Sequence, residues 1–304
     1  ELINSIFFAD YKRRLLPSDA GRTTMCPTEL FYDDQEDAAY IRLLPIETRL
    51  EDISIADLKR DPSRWTTFSL DINSPDQMAE AMQQVVKVKQ VPVAEAKRLA
   101  LYIEESGGSG GKGGQKPAAP DTVEIPQWRH AMISFPHPLL KQGLAILDTP
   151  GLNALGSEPE LTLSMLPNAH AVLFVLAADT GVTRSDLDMW QNHIRSCRGD
   201  SSIGLVAALN KIDTLWDEIK NQGQVEATIE SQRKETARML GIEPESVFPV
   251  SAQKGLLAKI RQDSELLTRS RLPLLEHYLS DNVVPAKQAI VSNSIIEKAS
   301  AIIE

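Results

Sequence analysis

Cysteine is nearly missing from this sequence. Cys26 and Cys197 are the only two in 304 residues, too few for a disulfide scaffold and in no metal-ligand spacing. The five histidines are scattered, with no two at ligand spacing, which argues against a His-bound metal. Long apolar runs are missing too. The longest, Ala169 to Ala178, contains His170 and falls well short of the roughly 18 to 20 residues of a membrane helix. Basic excess is absent: 32 Lys and Arg stand against 42 Asp and Glu, a net charge of -10. That balance excludes a general nucleic-acid binder, which needs clustered cations for phosphate. It also excludes adsorption of this stretch to anionic lipid by charge alone. The N-terminus lacks the pattern of a signal peptide. What remains is a soluble chain of a reducing compartment, expected in the cytoplasm. At 304 residues it holds one large domain or two ordinary ones, with room for a real core.

What is present is an alternation of strands and helices. Glu29-Leu30-Phe31-Tyr32 and Ala39 to Leu44 read as strands around an acidic turn. Residues 54 to 61, 75 to 89 and 93 to 105 read as helices. Six of the 16 glycines lie between Gly107 and Gly114, and the stretch from Ser106 to Pro120 reads as a flexible linker, natural or engineered. His130 to Phe135 and Leu144 to Leu147 are expected strands. Ala171 to Leu176, Ile203 to Leu209 and Val247 to Val250 are short continuous apolar runs, the pattern of parallel strands buried on both faces. Helices fit between them at 184 to 197, 215 to 239 and 252 to 262, the first opened by the capping-box sequence Thr183-Arg184-Ser185-Asp186. This order predicts a mostly parallel, helix-flanked α/β sheet whose ligand sits at the carboxyl ends of the strands. From Leu272 the pattern is helical to the end. Trp190, Trp216, Met239 and Leu240 are expected to be packing residues, and Arg184 a solvated first-turn residue.

Three strand ends carry chemistry. In Leu144-Ala145-Ile146-Leu147-Asp148-Thr149-Pro150-Gly151 a strand ends in an aspartate able to hold Mg²⁺, directly or through water, and in a glycine that lets a backbone N–H approach phosphate. In Leu205 to Leu209 followed by Asn210-Lys211-Ile212-Asp213, the carboxylate of Asp213 can accept paired bonds from the N1–H and 2-amino group of guanine, a donor pair adenine lacks. Asn210 can tether neighbouring loops and the Lys211 stem can lie over a flat base. In Val247-Phe248-Pro249-Val250-Ser251-Ala252-Gln253 a strand ends in small residues that let a backbone N–H face a ligand carbonyl. Each has a bland reading as a turn or helix cap. All three in one sequence direction, spaced by one βα unit, form the arrangement of a GTPase: Asp-Thr-Pro-Gly resembles the switch II box, Asn-Lys-Ile-Asp the guanine-specificity box and Ser-Ala-Gln the last base-contacting box.

Upstream, Leu15-Leu16-Pro17-Ser18-Asp19-Ala20-Gly21-Arg22-Thr23-Thr24-Met25-Cys26-Pro27-Thr28-Glu29-Leu30 resembles the switch I region of the dynamin superfamily, with a Leu-Pro pair, a variable loop, a threonine and a proline that opens a strand. Thr24 fits that threonine best and Thr23 is the alternative. The strand start looks more like bacterial dynamin-like proteins than animal ones. The long segment between Thr24 and Asp148 favours the same branch. The resemblance covers residues 1 to 255, tightly only at these motifs. It implies GTP or GDP as ligand, Mg²⁺ held by Thr24 and Asp148, and Thr24 in catalysis. It further implies nucleotide contacts from Asp148, Gly151, Asn210, Lys211, Asp213, Ser251, Ala252 and Gln253. Leu152 stands where Ras-like enzymes keep a glutamine. Water positioning in dynamins passes instead to the phosphate loop and switch I, helped by a monovalent cation and face-to-face dimerisation.

One required part is missing. No Gly-x-x-x-x-Gly-Lys-Ser/Thr occurs. Lys112 in the glycine cluster is followed by Gly113, is preceded by no strand and stands after switch I in the chain. The start, Glu1-Leu2-Ile3-Asn4-Ser5-Ile6-Phe7, resembles the helix that directly follows the phosphate loop in this family. The loop is therefore expected upstream of residue 1, in an N-terminal part of the protein that precedes this sequence. Supply by another chain, or true absence, are the alternatives.

The expected organisation is a P-loop GTPase-type domain over 1–262, with a helical insertion and Gly-rich linker at 53–120, and the start of a helical stalk at 263–304. The expected function is that of a bacterial dynamin-like GTPase, coupling the nucleotide cycle to homodimerisation through the nucleotide face and to stalk movement, in membrane remodelling. Membrane contact would be peripheral, at the inner membrane, through regions outside this chain; no nucleic-acid partner is expected. The alternatives are a non-catalytic interaction module of the same fold, and a GTPase of ribosome assembly or translation, against which the negative charge argues.

Overall fold

The computed structural model describes residues 1–17, 26–102, 121–148, 166, 169, 171–196, 204–217 and 221–285. The Gly-rich stretch 106–115, Thr24 and Gly151 lie outside them. The chain divides into two compact units: Leu15–Pro159, and Glu1–Arg14 with Glu160–Glu304.

In the first unit, β1 (Thr28–Phe31), β2 (Tyr40–Pro45), β3 (Thr66–Ser69), β4 (Val88–Pro92), β5 (Thr122–Pro126), β6 (Trp128–Ser134) and β7 (Ile146–Asp148) form two sheets. Five make one sheet in the order β3-β2-β6-β1-β7. Only β1 and β6 run parallel in it, with Thr28 opposite Ala131. β7 pairs antiparallel with β1, which places Asp148 opposite Thr28. The apolar positions of β2 and β6 fill the core: Ile41, Leu43, Leu44, Ala131 and Ile133 are fully buried. β4 and β5 form a separate antiparallel ribbon over its own cluster of Ile46, Val91, Ala96, Leu99, Leu101 and Ile125.

This ribbon corrects the sequence reading. The helix expected over 75 to 89 spans only Pro75–Gln83, capped by Ser74, whose hydroxyl accepts the Gln77 N–H at 3.3 Å. A short 3-10 turn, Gln84–Val86, follows it and leads into β4, where the β-branched residues Val88 and Val91 favour extended backbone and β5 supplies the partner strand. The helix expected over 93 to 105 stops at Arg98, where the following turn puts Ala100 at φ 54°.

In the second unit, β8 (Val172–Ala177), β9 (Leu205–Asn210) and β10 (Val247–Pro249) form an all-parallel sheet in the order β10-β9-β8. The continuous apolar runs are explained at β9, whose Leu205 to Leu209 are all buried. β8 differs. Among the described residues it pairs with β9 alone, and Val175 is 50% exposed on it. An apolar parallel strand with no second partner among the described residues leaves a valine exposed at a sheet margin.

Trp190 packs as expected: it is fully buried beside Phe174, with ring centroids 5.4 Å apart, and its Nε1–H donates to the Leu240 carbonyl at 2.8 Å. The Thr183–Asp186 capping box forms and starts the Arg184–Met189 helix. The helix expected from 215 begins later, at Gln222, and runs to Leu240. Trp216 is extended, and Asn221 supplies the start: its Oδ1 accepts the Gln224 N–H at 3.0 Å while Gln224 Oε1 accepts the Asn221 N–H at 3.1 Å. Removing such a reciprocal cap costs about 1 kcal/mol. Asn221→Ala is expected to lower urea-unfolding stability by that amount, and Asn221→Ser to keep most of it. Equal losses in both would show that the cap contributes nothing.

The Leu2–Phe7 helix packs on the Ala252–Arg261 helix, where Lys259 Nζ donates to the Ser5 carbonyl at 2.7 Å and pairs with Glu276 at 2.5 Å. After Asp263 come helices Ser264–Ser270 and Leu272–Tyr278. Among the described residues no helix is long and apolar enough to cross a membrane.

Candidate functional site

The Asn210-Lys211-Ile212-Asp213 and Ser251-Ala252-Gln253 segments, far apart in sequence, are brought together by the parallel pairing of β9 with β10. Asn210 ends β9, with its carbonyl accepting the Ala178 N–H at 2.7 Å. Its side-chain Oδ1 accepts two backbone N–H groups: Lys211 at 2.8 Å and Ala252 at 3.0 Å. The expected tether between loops is thus made by one amide oxygen. Ile212 N–H donates to the Val250 carbonyl at 3.2 Å and stitches the turns a second time.

Lys211 sits at φ 65°. For a residue with a Cβ this left-handed conformation costs on the order of 1 kcal/mol or more, and Asn210 Oδ1 holds it there. The strain turns the chain sharply, leaves the Lys211 side chain exposed and starts the short helix Ile212–Leu215. Asp213 lies in that helix, half-buried. Its Oδ1 accepts the hydroxyl of Ser251 at 2.6 Å. Ser251, fully buried, also accepts the Lys254 N–H at 3.2 Å, so one hydroxyl caps the Ala252–Arg261 helix and holds the carboxylate. Asp213 Oδ2 has no hydrogen bond among the described residues. A planar carboxylate with one oxygen fixed and the other open suits a ligand that presents two N–H donors on one edge. Gln253 is exposed on the first turn of the helix.

In the other unit Asp148 ends β7, half-buried, as the strand-end pattern predicts. Its charge is felt at the Cys26 thiol, which is pushed up to about 12, chiefly by burial, with a Thr28 hydrogen bond opposing and Asp148 adding. Cys26 is therefore an inert thiol at neutral pH. No group of three or more His, Cys, Asp or Glu able to hold a metal occurs among the described residues.

Sequence reasoning missed what stands behind Ser251. Its N–H donates to the Ser270 carbonyl at 2.9 Å. A glycine in a helix interior, Gly255, was the available signal that something approaches closely there.

The model of the dynamin family matches residues 3–209. The isoniazid-induced protein IniA of Mycobacterium tuberculosis is 33% identical over 156 residues, which is 50% of this chain and 22% of that protein. A bacterial dynamin-like protein of Nostoc punctiforme is 33% identical over 96 residues, 32% of this chain and 13% of that one. A solved structure of an oligomerised bacterial dynamin pair, described as a mechanism for long-range sensing and tethering of membranes, superposes with a TM-score of 0.53 at 16% identity. It covers 99% of this chain and 38% of its own. The chain thus spans about a fifth of the mycobacterial relative and well under half of the solved one. With a family model over more than half its length and strand-end motifs in the matching order, the chain belongs to the dynamin family and carries the α/β fold of a dynamin-like GTPase domain.

Proposed function

We propose that this chain binds GTP, recognises its guanine through Asp213, and forms the hydrolytic domain of a bacterial dynamin-like protein. The observation that carries the reading is the Asn210–Asp213–Ser251 constellation, in which two separate turns are tied so that a carboxylate keeps one oxygen fixed and the other without a partner among the described residues. Asn210 holds the turns, the Lys211 stem covers the base face, and Ala252 with Gln253 borders the base at the start of the helix. Thr24 and Asp148 would hold Mg²⁺, with Gly151 beside the γ-phosphate. A nucleotide-bound Mg²⁺ uses only one or two protein side chains beside phosphate oxygens and water, so Asp148 needs no surrounding carboxylate cluster. Bound there, Mg²⁺ neutralises charge on the phosphates. Thr24 orients the attacking water. A monovalent cation and pairing of two nucleotide faces complete the site.

The phosphate loop is contributed by residues outside the 304, and we place it N-terminal to Glu1. The open margin of β8, with Val175 exposed on an apolar parallel strand, supports a missing neighbouring strand. In the whole protein the cycle drives homodimerisation and movement of a helical stalk opened by residues 263–304, in membrane remodelling.

Mg²⁺-dependent phosphate release from GTP by the full-length protein tests this reading. Hydrolysis is expected there, and residues 1–304 alone are expected to bind GTP weakly, since they lack the backbone cradle. Absence of hydrolysis in the full-length protein would sink the enzymatic reading, and tight binding by residues 1–304 alone would sink the placement of the loop.

A further inference from the structure

The junction between the two C-terminal helices reaches back to both base-recognition turns. Helix Ser264–Ser270 ends at Arg271, which is left-handed at φ 57°, and the Leu272–Tyr278 helix starts at once. The carbonyl of Ser270, a fully buried residue, accepts the Ser251 N–H at 2.9 Å. The Ser270 hydroxyl is used locally, donating to the Leu267 carbonyl at 2.6 Å and accepting the Leu272 N–H at 3.3 Å. Leu272, fully buried, lies on Gly255: a Cβ there would meet Leu272 Cδ2 at 2.7 Å, Leu272 Cβ at 3.0 Å and Ser270 Oγ at 3.3 Å. On the other side, Arg269 lays its guanidinium over the Trp216 ring, 4.0 Å from the centroid. Trp216 N–H in turn donates to the Asp213 carbonyl at 3.2 Å. Arg271 pairs with Glu226 of the Gln222–Leu240 helix.

These contacts bear on one carboxylate. Ser251 Oγ sets Asp213 Oδ1 at 2.6 Å, and the backbone that carries Ser251 is fixed by Ser270. The main chain of Asp213 is braced through Trp216, which Arg269 covers. Moving residues 269–272 therefore moves the hydroxyl and the backbone that together aim the carboxylate. Gly255 fits the same account. Glycine in a helix interior costs about 1 kcal/mol against alanine, and here the space a side chain would take is filled by Leu272.

We infer that residues 269–272 are positioning residues for guanine recognition, which make base affinity depend on the seating of the C-terminal helices. The inference rests on the reading of Asp213 as the guanine contact. It deepens that reading by naming the elements that aim the carboxylate. Coupling of this kind is reciprocal: displacement of the Leu272–Tyr278 helix weakens guanine binding, and bound guanine nucleotide resists that displacement.

The test compares GDP with inosine diphosphate on the full-length protein. Inosine keeps N1–H but lacks the 2-amino group, so the ratio of the two affinities reads the aim of the carboxylate. Wild type is expected to prefer GDP by about tenfold, the worth of one hydrogen bond to a charged group. Gly255→Ala, which pushes Leu272 and Ser270 away, is expected to remove most of that preference. Adding Leu272→Val, which shortens the opposing side chain, restores part of it. Arg269→Ala, at an exposed position, is expected to reduce the preference about two- to fivefold by loss of the cation–π contact. A purely structural role would lower both affinities together and leave the ratio unchanged. An unchanged ratio in Gly255→Ala and Arg269→Ala overturns the inference while leaving the guanine reading intact. If Gly255→Ala does not fold, the ratio in Arg269→Ala decides alone. A wild-type protein with no preference for GDP overturns the guanine reading and the inference with it.

Discussion

Asp213→Asn is expected to lower the affinity of the full-length protein for GDP about 100-fold and to create affinity for xanthosine diphosphate. The fall follows from the loss of a charge-assisted pair: each hydrogen bond to a charged acceptor contributes about 1.5–3 kcal/mol, and an amide replaces one carboxylate oxygen by a donor. That donor faces the 2-amino group of guanine, itself a donor. Xanthine carries a carbonyl at the same carbon, which accepts from the amide while the remaining oxygen still takes N1–H. The substitution is isosteric, and the asparagine oxygen can keep the 2.6 Å bond from Ser251. The fold is therefore undisturbed, and a loss of GDP binding cannot be laid to unfolding. Unchanged GDP affinity in this variant would remove Asp213 from the base pocket.

How much of this was legible in the sequence depended on how local the cause was. The strand at Leu205 to Leu209 announced itself because parallel strands covered on both faces are apolar at every position, and the turn after it because Asn, Lys and Asp have no reason to follow such a strand in a packed core. The Thr183–Asp186 box was readable for the same reason: its partners are three residues apart. The ribbon of β4 and β5 was not. Val88–Pro92 is too short to separate strand from helix by period, and its pairing partner lies beyond the Gly-rich stretch. The helix expected from 215 starts only at Gln222 because the extended Trp216 breaks the path and Asn221 supplies the cap. The proximity of Asn210 to Ala252 could be anticipated only from the order of the motifs. That Ser270 stands behind Ser251 was marked only by Gly255, which shows a close approach without naming what approaches, since a backbone carbonyl leaves no trace in residue identity. Thr24 and Gly151 lie outside the described residues, and their roles rest on the motifs alone.

His130 is expected to make the protein progressively less stable in acid, by about 2 kcal/mol between pH 7 and pH 5. The ring lies on β6, fully buried, edge-on to Trp65 with centroids 6.2 Å apart, and neither nitrogen has a hydrogen-bond partner among the described residues. Burial, reinforced by the positive charges of Lys59 and Arg129, lowers its pKa from 6.5 to about 3. The unfolded chain thus takes up a proton below 6.5 that the folded chain refuses. Stability is unaffected above pH 6.5 and falls by about 1.4 kcal/mol per pH unit below it, until the folded ring itself protonates near pH 3. The depressed carboxylates act elsewhere. Asp33, held down by the Tyr40 hydroxyl, and Glu47, held down by Lys89, stay ionised in both states above their ordinary values of 3.8 and 4.5 and lose their contribution only below those. The window from pH 6.5 to 4.5 therefore isolates His130 from them. His130→Leu removes two buried nitrogens without partners, so stability at pH 7 is expected to hold or rise. Its urea-unfolding free energy should then change little from pH 7 to pH 5. If the variant lost as much stability over that interval as the wild type, the acid sensitivity would belong to other groups.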